Sequence, residues 1–159
     1  MLKKLIIGGF AIALLSIVFT TAAPTSASAA ARETGKGCTA HVYKKGSRST
    51  CVKYIQKMLN GTYVAYRNDY GGSILAADGI FGPKTYTQVY RYQKYFYHKT
   101  GTGVVDRITW RRLCEYAGQA SFMNNNASAT KKAAWQASYM AGCYVEKPTS
   151  TGYKTISRY

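Results

Sequence analysis

The sequence predicts an all-α fold: a compact three-helix unit with a disulfide-tethered C-terminal extension. Three observations carry that reading. Apolar residues recur at helical spacing in three separate stretches. Each stretch is entered through a short turn that contains glycine. Four cysteines, Cys38, Cys51, Cys114 and Cys143, bracket and follow those stretches in a chain that reads as exported.

The elements follow in order. Lys3 and Lys4 precede an apolar run of 15 residues from Leu5 to Phe19, and Ala27-Ser28-Ala29 offers a small-residue cleavage site. The run is short of the roughly 20 residues needed to span a bilayer, so residues 1–29 are expected to be a cleaved signal peptide, with no integral membrane segment after cleavage. Residues 30–45 form a short lead-in in which Val42-Tyr43 is extended. Val52, Ile55, Met58 and Leu59 then define a first helix, capped by Ser49 or Thr50 and ended by Asn60-Gly61. Residues 61–77 make a long connection rich in tyrosine, including Tyr63, Tyr66 and Tyr70.

Asp78-Gly79 is turn chemistry, because Asp caps its own backbone and Gly accepts positive φ. Gly82-Pro83 then opens a second helix, with Pro at the first helical position. Tyr86, Val89, Tyr90, Gln93, Phe96 and Tyr97 form its stripe. A second turn at Gly103-Val104-Val105-Asp106 launches a third helix, which is expected to carry Ile108, Trp110 and Leu113 inward. Residues 115–159 form the extension. A short helix is expected over Lys131 to Met140, and a frayed end from Lys147 onward.

The first two helices echo one another: Val52-x-x-Ile55-Gln56-x-x-Leu59 matches Val89-x-x-Tyr92-Gln93-x-x-Phe96. Together with Gly46-Ser47-Arg48, Asp78-Gly79-Ile80-Phe81-Gly82-Pro83-Lys84-Thr85 and Gly103-Val104-Val105…Thr109-Trp110-x-x-Leu113, these motifs resemble the small three-helix peptidoglycan-binding domain family. The resemblance covers residues 46–114 and keeps the family's motif order. It implies attachment to bacterial cell-wall peptidoglycan, through the glycan strand or the stem peptide. The second turn departs from the family's Asp-Gly-x-x-Gly, holding Thr102 and Asp106 at the outer positions.

Composition bounds the partners. Lys and Arg number 22 against 6 Asp and Glu, a net charge of +16 that falls to +14 when Lys3 and Lys4 leave with the signal peptide. For a secreted or wall-associated protein the accessible polyanions are wall polymers, stem carboxylates and anionic lipids. Nucleic acid, which any basic surface attracts through its phosphates, is not expected as a partner of an exported chain. An effector that acts on anionic membranes or polymers by charge alone is the alternative.

An even cysteine count in an exported chain implies two disulfides, with three possible pairings. Cys51 and Cys114 lie at the two ends of the family-like region, and this placement favours a nested pairing of 51–114 with 38–143. With only His41 and His98 available, and no ligand spacing among the cysteines, no metal or other cofactor is expected.

Most motif residues read as scaffold. Asp78, Gly79, Gly82, Thr85 and Gly103 are turn and cap residues. Trp110 belongs to the core, and Thr109 precedes it in the third motif. Gln56 and Gln93 are amides on inner helix faces whose natural partners are turn backbones. The candidate ligand contacts are Tyr86 and Tyr90, whose flat faces suit sugar rings, with Lys84 and Arg91 as donors. No enzyme is expected. No free pair of carboxylates stands out for glycoside hydrolysis. Ser138 to Cys143 is faintly similar to the Ser-His-Gly-Cys signature of L,D-transpeptidases but lacks its histidine, which leaves Cys143 a disulfide partner.

Overall fold

The computed structural model describes residues 32–62, 73–97 and 101–159. The signal-peptide expectation and the loop tyrosines Tyr63, Tyr66 and Tyr70 lie outside these. Among the described residues four α-helices form the body: α1 (Thr50–Gly61), α2 (Pro83–Tyr97), α3 (Arg107–Ala117) and α4 (Ala129–Ala141). Single 3-10 turns sit at Gly37–Ala40 and Ala120–Met123, and the chain closes with an antiparallel hairpin, β1 (Val145–Thr149) and β2 (Gly152–Ile156).

Three of the four helix starts are capped by a side chain. The Ser49 hydroxyl accepts from the Val52 N–H at α1, the Asp106 carboxylate from the Thr109 N–H at α3, and the Ser128 hydroxyl from the Lys131 N–H at α4. At α4 the exit is Gly142 in the left-handed conformation, φ 104°, a common helix stop. One core runs through the molecule. It takes Val52, Ile55, Met58 and Leu59 from α1, Val89 and Tyr92 from α2, Trp110 and Leu113 from α3, and Ala134, Trp135 and Ala141 from α4.

Helix α4 lies along α1, and this is the most extensive helix pairing in the described residues. Gly61 makes it possible, because a Cβ there would overlap the Ala134 methyl and press on the Phe122 ring. The Trp135 indole N–H donates to the Glu146 carbonyl at 3.0 Å, which fixes the hairpin to α4. Trp110 is fully buried, and its indole N–H donates to the His41 carbonyl at 2.9 Å. The lead-in is thereby tied to α3, and Tyr43 exchanges two backbone hydrogen bonds with Val105 in the turn before that helix.

Several expectations are corrected. The chain is mainly helical but not all-α, because its end forms two strands; the helix expected over Lys131 to Met140 is present as α4. The C-terminal end pairs in register from Val145 opposite Ile156 to Thr149 opposite Gly152 instead of fraying. Pro148 does not break this ribbon, since a strand without a further neighbour has an open side on which no N–H is needed.

The disulfides are Cys38–Cys51 and Cys114–Cys143, not the nested pair. The chain turns through Gly37–Ala40 just before running into α1, which sets Cys38 beside the first turn of that helix, with Cα atoms 5.5 Å apart. Cys143 follows the left-handed stop of α4 and meets Cys114 on α3, with Cα atoms 5.4 Å apart. Ile108 is 63% exposed rather than inward. The buried face of α3 is Trp110, Leu113, Cys114 and Ala117, and a residue two before Trp110 points roughly 160° away from it.

Candidate functional site

Two buried glutamines organise the family-like region. Gln56 on α1 accepts from the Gly79 N–H at 2.9 Å. Its amide nitrogen donates to Asp78 Oδ1 at 2.8 Å, to the Ile80 carbonyl at 3.0 Å and to Thr85 Oγ1 at 3.1 Å. Gln93 on α2 accepts from the N–H groups of Thr102 and Gly103, both at 2.8 Å. It donates to Thr102 Oγ1 at 3.2 Å, to the Val104 carbonyl at 2.8 Å and to Thr109 Oγ1 at 3.0 Å. A glutamine in one helix therefore grips the turn that launches the next helix, and the chain does this twice.

The two turns match atom for atom where it matters. Asp78 Oδ1 accepts from the Ile80 N–H at 2.8 Å, and Thr102 Oγ1 accepts from the Val104 N–H at 3.2 Å, so a hydroxyl replaces the carboxylate in the same local bond. Gly79 and Gly103 both have positive φ, 81° and 68°. Gly82 has ordinary backbone and open space where a Cβ would stand, so its counterpart Asp106 can carry a side chain, which it uses to cap α3. This accounts physically for the departures of the second turn.

Asp78 is exposed, and its carboxyl is held below the usual carboxylate range. The Ile80 N–H contributes most, then the Gln56 amide, and the charge of Arg48 adds a smaller part. Two clefts flank the Asp78–Ile80 ridge. One, of ≈ 350 Å³, runs from Leu75 and Ala76 past Ile80 and Pro83 to Lys84. The other, of ≈ 390 Å³, is lined by Arg48, Ser49, Thr50, Lys53 and the turn itself.

The predicted ligand contacts divide between two places. Tyr86 and Tyr90 stack on each other, with ring centroids 6.4 Å apart and planes 23° apart. They lie over the second turn, where Gly103 and Gly101 leave room for their rings. Tyr86 is 38% exposed and Tyr90 is half-buried, and the Lys94 ammonium stands 5.8 Å from the Tyr90 centroid. Lys84 lines the cleft beside the first turn instead. Arg91, seven residues on, shares its side of α2, roughly 160° around the helix from Tyr86 in the case of Lys84. The structure thus joins the tyrosines to each other but does not join Lys84 to them. Arg48 and Lys53, which line the second cleft, were not among the predicted contacts, although Arg48 stands inside the Gly46-Ser47-Arg48 motif.

Comparison with known proteins bears on this geometry, since the region in which Gln56 and Gln93 grip their turns is the region that matches. Residues 48–113 match the family model of the putative peptidoglycan binding domain. No curated protein and no solved structure matches the chain. The peptidoglycan-binding match starts at Arg48, two residues before α1, and ends at Leu113 within α3. Both glutamine-gripped turns and both flanking clefts' charged residues fall inside it. The 3-10 turns, α4 and the hairpin fall outside it, and each disulfide joins a cysteine close to or within the match to one beyond it.

Proposed function

We propose that the protein is exported and attaches, without catalysis, to bacterial cell-wall peptidoglycan. The observation that carries this is the family match over residues 48–113, on a segment whose two turns are both intact. The stacked pair Tyr86 and Tyr90 offers a flat apolar face with hydroxyl edges, suited to sugar rings. Lys84 and Arg91 supply hydrogen-bond donors on the other side of α2. Anionic wall polymers are secondary partners through the net positive charge.

The non-catalytic reading is supported by how the described acidic residues are employed. Glu33 pairs with Arg107, Glu146 with Arg32 and the Ala120 N–H, and Glu115 with Arg111 and Arg112. Asp106 caps α3 and Asp78 braces its own turn. Each described carboxylate has a structural task.

The test is retention on purified sacculi stripped of wall polymers, at 0.15 M and 0.5 M salt. The Debye length at the higher salt is about 4 Å, so stacked and hydrogen-bonded contacts persist while charge-only attraction collapses. Retention at both salts is the expected outcome, with weaker retention for Tyr86→Ala and Tyr90→Ala. Loss of all retention at 0.5 M favours the effector reading, which the excess of Lys and Arg supports.

A further inference from the structure

The two glutamine grips set the internal repeat in register, and that register equates surface positions that differ in chemistry. Helix positions are offset by 37 residues, from Gln56 to Gln93, and turn positions by 24, from Gly79 to Gly103. Under this register Ser49 corresponds to Tyr86, and Lys53 to Tyr90. The packing bears the equivalence out. A Cβ on Gly79 would meet the Ser49 carbonyl at 2.9 Å and the Lys53 Cβ at 3.8 Å, whereas one on Gly103 would overlap the Tyr86 ring. One helix face closes on a glycine turn twice. In the second copy two stacked tyrosines cover the turn. In the first, a serine and a lysine leave a cleft of ≈ 390 Å³, with Arg48 on its rim.

We propose that this cleft, between Arg48, Lys53 and the Gly79–Ile80 backbone, is a subsite for a free carboxylate of a wall stem peptide. It complements the tyrosine face, which meets sugar. The inference rests on the wall-binding reading above and specifies where the acidic part of that ligand goes. Arg48 presents a planar fork that matches a carboxylate in two-point contact, and Lys53 adds a compact point charge. Thr50 places an exposed hydroxyl in the same cleft. Asp78 is the one acid on the lining, and its Oδ1 is engaged by the Ile80 N–H and the Gln56 amide. Counting Arg48, Lys53 and Asp78, the cleft keeps a charge of +1, suited to a singly charged oxyanion. Exposed Ile80 gives the adjoining peptide an apolar wall.

The experiment compares the full chain with Arg48→Gln/Lys53→Gln on polymer-stripped sacculi at 0.15 M salt. The sacculi are used before and after carbodiimide coupling of their carboxylates to glycinamide. Lys44→Gln/Lys45→Gln, exposed residues outside the cleft, removes the same charge and serves as the control. The cleft variant should bind untreated sacculi about tenfold more weakly than the parent, as expected when charge-assisted bonds are lost. Coupling should weaken the parent by a similar factor and leave the cleft variant unchanged, the pattern of two changes acting on one contact. The control should follow the parent. An equal loss in the control overturns the subsite, as does a cleft variant that stays sensitive to coupling. A loss seen only on sacculi that still carry phosphodiester polymers also overturns it, because the oxyanion is then not a stem carboxylate. Parent retention shared in full by the cleft variant removes the subsite alone, whereas a parent that is not retained removes the wall-binding reading with it. Should the cleft variant melt early, Arg48→Lys/Lys53→Arg, which keeps both charges, must restore binding.

Discussion

A single buried amide holds each turn by several bonds, so its loss is felt beyond its own size. In Gln56→Leu the side-chain volume is kept, but the buried Gly79 N–H loses its partner and the Ile80 carbonyl is left with the Gly82 N–H and the Thr85 hydroxyl. Leaving a buried polar group unsatisfied costs about 1–3 kcal/mol, and we expect a loss of about 3 kcal/mol in chemical denaturation. A neutral result would mean that the turn finds other partners. Asp78 gives a pH signature. Its folded-state pKa is depressed, so its contribution is fully present above the unfolded value of about 3.9 and fades as pH falls through the folded value. The melting temperature should therefore drop on acidification below about pH 4, and Asp78→Asn, which keeps the accepting oxygen, should show a smaller drop in that window.

At the scale of elements, the contact of α1 with α4 depends on one small residue. Gly61 has ordinary φ, so its glycine is required by space rather than by backbone conformation. Gly61→Ala should push against Ala134 and Phe122 and cost about 1–3 kcal/mol, as overpacking does, read as a lower midpoint with an unchanged m-value. The sequence disclosed the helices because apolar spacing and cap chemistry agree there: Ser49 and Asp106 stand where their motifs put them. It was silent on the hairpin, since Lys147, Pro148 and Lys154 carry no alternating apolar signal and, of its apolar residues, only Val145 and Ile156 turn toward the body. Ile108 was misread because apolarity alone does not set helical phase; the phase follows from Trp110 and Leu113. The cysteine pairing depended on the path of the lead-in, which no local pattern encodes. The cleft at Arg48 and Lys53 was hidden for a related reason. Their equivalence to Thr85 and Tyr90 appears only once the glutamine grips fix the register.

For the whole molecule, the family-matching segment and its extensions share one core. A fragment of residues 46–114 would lose Cys38 and Cys143, and with them both disulfides. It would also uncover the face of α1 that α4 protects. Disulfides in small domains contribute about 2–4 kcal/mol each, comparable with the few kcal/mol of net stability such a fragment has. We expect it to show no cooperative thermal transition, while residues 32–159 melt as one unit. A sharp transition in the short fragment would mean that the extension is an accessory. Peptide mapping without reductant should recover the 38–51 and 114–143 linkages.

The glutamine grips also loosen a constraint on the chain. Gln56 reaches a turn 22 residues ahead and Gln93 one only 9 ahead, yet both seize the same backbone shape. What lies between is invisible to the grip, and closing the longer span costs only roughly 0.8 kcal/mol more in chain entropy. The scaffold therefore tolerates different spans between one helix and the next turn. Such a span is expected to accept a change of length while the helices, and Leu75 held by two hydrogen bonds to Asn60, keep their places. The repeat is in that sense a socket, open to new recognition segments without any change in what holds it together.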